Sequence, residues 1–306
     1  MTLIWGTNYS IVKHAFREMD PQAFNAVRMT IASAVFVSII FGLRRLRGIG
    51  ADAPAEVSIA SIFHTPAPIT RRDWLALAGL GIVGHFLYQY FFILGLAQTS
   101  VANSALMLAA TPVVITLLTA VLGHDRVSGL HWVGAALSLG GIYVLVGHGP
   151  ETGGSTLRGD LMMIGAVFCW AAYTIGARPL MVRHSPVAVT GLSMTIGTVL
   201  YVGTLLPHLI GVNWSAVGLA TWMAVVYSAL FALCVSYTIW YAAVREIGSA
   251  RTSVYSNLVP VVALLSAVAF LGEPMGAPKV VGAAAVMAGV ALTRIGRTKL
   301  AIPAEE

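Results

Sequence analysis

Residues Val187–Ile210 read VAVTGLSMTIGTVLYVGTLLPHLI, 24 consecutive positions without a Lys, Arg, Asp or Glu. A helix rises about 1.5 Å per residue, so this stretch outreaches the roughly 30 Å hydrocarbon core of a bilayer. Its apolar residues run on without period-two alternation, which excludes the strand of a membrane barrel. Inside lipid only helices and closed barrels satisfy their backbone. The stretch is therefore read as a membrane-crossing helix.

The rest of the chain has the same character. Working outward, further spans are expected near Thr2–Phe16, Gln22–Leu43, Trp74–Leu96, Val101–Gly123 and Leu130–Gly147. Downstream they fall near Asp160–Ala177, Ser215–Tyr241, Thr252–Gly272 and Ala277–Thr293. Apolar types make up 58% of the 306 residues, charged types only 10%, and the mean hydropathy is +0.83. A soluble domain carries about a quarter charged residues, and its surface needs them. The expected fold is an all-α integral membrane protein of ten transmembrane helices.

Basic residues set the orientation. With the N-terminus in the cytoplasm, 13 of them fall inside: Arg44, Arg45, Arg47, Arg71, Arg72, Arg126, Arg178, Arg183, Arg245, Arg251, Arg294, Arg297 and Lys299. Only Lys13, Arg17, Arg158 and Lys279 fall outside. This bias places both termini in the cytoplasm of a cell inner membrane. The net charge of +6 is then a topology signal spread over separate loops, and no nucleic-acid partner is expected. The one long loop, 44–73, contains Pro54, Pro66 and Pro68 and reads as a flexible cytoplasmic linker. Cys169 and Cys234 lie within spans without metal-ligand or disulfide spacing, so neither metal nor cofactor is expected.

The chain repeats itself. A shift of 165 residues lays Trp5 on Trp170, Pro21 on Pro186 and Met29-Thr30-Ile31 on Met194-Thr195-Ile196. A shift of 148 lays Pro112-Val113-Val114 on Pro260-Val261-Val262, Gly134-Ala135-Ala136 on Gly282-Ala283-Ala284 and Gly141 on Gly289. The division is a first five-helix repeat at 1–148, a second at 149–294 and a cytoplasmic tail at 295–306. Five is odd, so the second repeat enters the membrane inverted, which suits a single midplane site served by alternating access. An enzyme has no need of two such halves, and no catalytic constellation or phosphate-cradling loop is present to suggest one. Before Trp170 an apolar run extends back to Leu161, whereas only four residues precede Trp5. The natural protein is therefore expected to begin upstream of Met1.

Ionisable groups inside spans are costly and point to function. Every Asp and Glu falls in a loop, a tail or a span end, so no midplane carboxylate is available to a proton or sodium ion. His85, central in the third span, is a candidate for substrate binding or proton relay, or a neutral histidine satisfied by a neighbouring helix. Arg28, two turns into the second span, can contact an anion or serve a structural bond. Its repeat mate is Ser193, and the second helix is expected to be peripheral. Pro112 and Pro260, equivalent in the repeats, are candidate hinges or static kinks. Glu273-Pro274 reads as the start of the tenth helix.

Trp5-Gly6-Thr7-Asn8-Tyr9, Ala26-Val27-Arg28, and Leu258-Val259-Pro260 through Leu271-Gly272-Glu273-Pro274 resemble the EamA group of the drug/metabolite transporter superfamily. The resemblance covers nearly the whole chain, but His124-Asp125 stands where such proteins usually have Glu. It implies a ten-helix secondary carrier of small organic metabolites, often working outward. It also implies a central cavity bordered by the first, third, fourth, sixth, eighth and ninth helices. On those helices the candidate substrate-binding residues are Asn8, Tyr9, His85, Tyr88, Gln89, Asn103, Trp170, Tyr173, Tyr237 and Asn257. Aromatic rings would pack the apolar part of a solute while amides orient its polar part.

The expected function is transport of small metabolites, with export of amino acids or related amphiphilic solutes by alternating access. A proton-coupled drug/metabolite antiporter and a transport-inactive membrane sensor are the alternatives. The expected partners are a small-molecule substrate and the bilayer, with a homodimer left open.

Overall fold

The structure, a computed structural model, describes residues 1–47, 60–63, 67–111, 113–115, 118, 129–147, 156–243, 245 and 258–297. Among the described residues there is no strand. The chain folds as α1 (Thr2–Ala15), α2 (Pro21–Arg47), α3 (Arg71–Gln98), α4 (Val101–Ala109) and α5 (Gly129–Gly147). It continues as α6 (Leu157–Arg183), α7 (Pro186–Ile210), α8 (Leu219–Ala243), α9 (Leu258–Leu271) and α10 (Ala277–Arg297). Among the described residues five segments are long and apolar enough to cross a membrane: Pro21–Gly42, Arg71–Gln98, Leu157–Met181, Pro186–Ile210 and Leu219–Ala243. Shorter apolar helices accompany them, so this is an all-α, multi-pass membrane protein. Its outer surface is itself apolar, with Leu75, Ile210 and Phe270 each 74–76% exposed, as lipid requires.

Local chemistry explains how helices restart after short turns. Thr70, Ser100, Thr156 and Ser185 each accept a hydrogen bond from a backbone N–H in the first turn of α3, α4, α6 and α7. Thr70 and Asp73 form a reciprocal capping box, and Pro186 occupies the first turn of α7. No such signal stops α2 at Leu43. It continues to Arg47, so part of the predicted 44–73 loop is helical, as is Ala60–Phe63.

The helices are interleaved between the sequence halves. α1 packs on α8 and α9, while α6 packs on α3 and α4. The sequence shifts of 165 and 148 residues carry α1 onto α6 and α3 onto α8, so members of one group correspond in sequence to members of the other. Between them α2 packs against α7, α2 also meets α8, and α7 also meets α3. α5 and α10 form a separate pair at the edge.

Two contacts lie where the exchange maps a pair onto itself. Ser33 Oγ meets Thr198 Oγ1 at 2.8 Å, and these positions are 165 apart. Ser138 Oγ donates to the Val286 carbonyl at 3.0 Å, and these positions are 148 apart. Beside the second contact, a Cβ added at Gly141 would lie 2.8 Å from the Gly282 carbonyl. A Cβ at Gly289 would lie 2.5 Å from the Gly134 carbonyl, so backbone crosses backbone symmetrically.

α3 and α8 each contain a π-helical segment, Gly81–Leu87 and Ser228–Val235, at positions equivalent in the repeat. Each receives an aromatic residue from the helix that has crossed over. The Tyr173 ring lies so close to Gly84 that a Cβ there would fall 2.2 Å from it. The Trp5 indole N–H donates to the Ala232 carbonyl at 3.0 Å.

Candidate substrate cavity

Where the two three-helix groups face each other they border a half-open cavity of about 120 Å³. α1 contributes Trp5, Asn8 and Tyr9, and α3 contributes Tyr88, Gln89 and Phe92. α6 supplies Trp170 and Thr174, α8 supplies Leu233, Tyr237 and Trp240, and α9 supplies Val259 and Pro260. Ala105, Leu108 and Ala109 of α4 complete the wall with Thr111 and Ile115. Trp170 anchors the aromatic part: its ring centroid lies 5.1 Å from that of Tyr88 and 5.4 Å from that of Tyr237. Trp5 meets Tyr237 edge-on at 5.9 Å. The rings support one another as a wall, Trp5 edge-to-face with Tyr237 and Trp170 tilted against both Tyr88 and Tyr237.

Arg28 also lines this cavity, which corrects the expectation that the second helix is peripheral. It is 1% exposed. Its Nε donates to Asn25 Oδ1 at 2.7 Å, Nη1 to Ser228 Oγ at 2.8 Å and Nη2 to Gln89 Oε1 at 2.7 Å. α2 reaches the cavity because α7 and α8 draw it inward. Asn25 and Ser228 were not singled out in the sequence. Asn25 is three residues from Arg28, a spacing that places both on one helix face, whereas nothing local marks Ser228.

Asn8, Tyr9, Tyr88, Gln89, Trp170 and Tyr237 thus come together at the wall, with Arg28 and the candidate hinge Pro260. His85, Tyr173 and Asn103 are buried but do not line the cavity. His85 Nε2 is 3.2 Å from the Tyr173 hydroxyl, which is 3.3 Å from Ser193 Oγ. Its ring also packs near that of Tyr237, at 6.1 Å, so it backs the wall. Asn257 and Pro112 lie outside the described residues. Phe92, Thr174, Thr111 and the α4 residues were missed, because small and apolar residues look alike on lipid-facing and cavity-facing sides.

One end of the molecule is tied across the two groups. Lys13 Nζ of α1 donates to the carbonyls of Leu96, Ala97 and Thr99 at 2.7, 2.9 and 2.9 Å, capping the end of α3. Glu273 accepts from the backbone N–H groups of Val101 and Ala102 at 2.7 and 3.2 Å, capping the start of α4. Its carboxylate therefore serves a helix of the opposite group, a use its adjacency to α10 does not suggest. Nearby, Glu18 accepts from Thr221 Oγ1 at 2.6 Å and from the Gly218 N–H at 3.2 Å. These bonds hold its carboxyl below the usual value. At the other end Asp73 pairs with Arg183 at 3.2 Å and lies 3.2 Å from His184 Nε2.

Comparison with known proteins gives this geometry a context. The profile of the EamA-like transporter family matches residues 1–147 and 157–295. An uncharacterized transporter of Bacillus subtilis, YyaM, is 25% identical over 94% of this chain and 89% of its own. A Salmonella typhimurium protein named "probable amino-acid metabolite efflux pump" is 26% identical over 97% of this chain and 93% of its own. A Streptantibioticus cattleyicolor protein named "probable terminal-alkyne amino-acid exporter" is 28% identical over 78% and 80%. One solved crystal structure shares the fold with a TM-score of 0.62 at 21% identity, covering 98% of both chains. With both matched stretches together spanning nearly its whole length, the chain belongs to the EamA-like transporter family.

Proposed function

We propose that this protein is a secondary transporter exporting amino acids or related amphiphilic solutes by alternating access. The observation that carries the reading is a mixed aromatic and amide cavity at the junction of two three-helix groups related by the repeat. The printed names of the Salmonella and Streptantibioticus relatives support the substrate class. In this reading ten spans form two inverted five-helix repeats, 1–148 and 149–294, and both termini face the cytoplasm of the inner membrane. The self-mapping contacts Ser33–Thr198 and Ser138–Val286 support the inversion.

The moving units are then the groups α1–α8–α9 and α3–α4–α6, with Asn8, Tyr9, Tyr88, Gln89, Trp170 and Tyr237 contacting the solute between them. Purified protein in proteoliposomes, given an amino-acid panel with and without a pH gradient, tests this. Saturable movement of particular amino acids is expected. A folded, reconstituted protein that moves none of them would refute the assignment.

Proton coupling through His85 is a second reading, supported by its contact with Tyr173 and its approach to Tyr237 at the wall. If it operates, His85→Phe abolishes the response to a pH gradient while downhill exchange survives. An unchanged response in that variant would remove His85 from the mechanism.

A further inference from the structure

Arg28 is a buried cation facing the cavity, yet its three hydrogen-bond acceptors are all neutral. Among the described residues no carboxylate pairs with it, and no Asp or Glu lines the cavity. A guanidinium has five N–H donors, so two remain after Asn25, Ser228 and Gln89 are served. A buried charge without a counter-charge is costly, and a neutral donor such as glutamine would link α2 to α3 and α8 without that cost. The three acceptors instead fix the fork in place, as a site for an anion requires. The same cavity is lined by the aromatic rings of Trp5, Trp170 and Tyr237. At that wall Asn8 Oδ1 and Trp240 Nε1 are buried without a partner among the described residues.

We propose that Arg28 makes the cavity selective for amphiphiles bearing one carboxylate, either anionic or zwitterionic, and excludes those whose only charge is positive. The carboxylate completes the ion pair that the fold leaves open, and the apolar body lies on the aromatic wall. Asn25 and Ser228 act as positioning residues for the guanidinium. The inference rests on the transporter reading for its physiological meaning, but its test does not.

The test is calorimetric titration of the full chain in nanodiscs with phenylacetate, phenylalanine, 2-phenylethanol and phenethylamine, which share one body and differ in head group. Phenylacetate and phenylalanine are expected to bind at least ten times more tightly than phenethylamine. Arg28→Gln should erase that ratio, and Arg28→Lys should restore its direction. Should the variants fail to fold, the head-group series on the unaltered protein decides alone. Phenethylamine binding as tightly as phenylacetate, or no binding of any of the four, overturns the proposal. Flux of the same compounds separates the two readings. Carboxylates bound but never moved would defeat the transporter reading and leave the selectivity intact. Movement of phenethylamine in preference to phenylacetate would do the reverse.

Discussion

Arg28 is held by groups from three helices, and each hold has its own consequence. Asn25 sits behind it, fully buried and off the cavity wall. Asn25→Ala would leave Nε without its acceptor, and we expect a loss of about 1–2 kcal/mol, readable as lower thermal stability in nanodiscs. Glu18 offers a pH-dependent counterpart. Its carboxyl is held low chiefly by the Thr221 hydroxyl and next by the Gly218 amide. A carboxyl depressed by folding stabilises above its unfolded pKa, about 4.3, and that contribution fades as pH falls through the lower folded value. The tie between the α1–α2 turn and α8 should thus be intact at neutral pH and loosen only in acid. Thr221→Val should raise the Glu18 pKa toward its ordinary value, which infrared titration of ¹³C-labelled glutamate reads directly. At this scale the sequence exposed residue types but not their partners. Arg28 and His85 were both conspicuous as ionisable groups in lipid. Only side-chain direction put one at the wall and the other behind it.

Among the helices, α5 and α10 make the sharpest case, because their crossing is set by what is missing from Gly141 and Gly289. A methyl at Gly289 meets the Gly134 carbonyl and the Ser138 backbone at 2.5 Å, and backbone cannot step aside. Gly289→Ala should therefore cost about 1–3 kcal/mol of stability. Gly140→Ala, with nothing within 4 Å of its added carbon, should be neutral or slightly stabilising. Thermal unfolding of both variants side by side checks the pair. The glycine-rich faces could be read from spacing alone, since a helix interface in lipid needs small residues. The π segments could not. Gly81–Leu87 and Ser228–Val235 carry no shared sequence signal, and they arise where Tyr173 and Trp5 press on their helices.

Across the whole molecule, the sequence matches between the two halves could be read in advance and the interleaving of their helices could not. Trp5 and Trp170 reveal that two stretches are related, but hydrophobic periodicity says nothing about which helix lies beside which. The exchange of α1 and α6 between groups is therefore known only from packing. It places Lys13 and Glu273 in one group with their partners in the other, so both close the same end. Lys13→Met combined with Glu273→Gln should open that end, lengthening the spin-label distance between the α1–α2 turn and the α3–α4 turn. An unchanged distance would mean that these caps do not hold the groups together.

The same exchange bears on biogenesis. α1 leaves the ribosome well before α8 and α9, yet Trp5 finds its acceptor 227 residues later and Ser10 meets its hydroxyl partner 256 residues later. During synthesis α1 must wait in the bilayer with Trp5 and Ser10 still lacking their partners. A chain stalled before α9 would present the Ser10 hydroxyl, its partner Ser266 not yet made, to the membrane's quality-control proteases, and synthesis of α9 would release it from them.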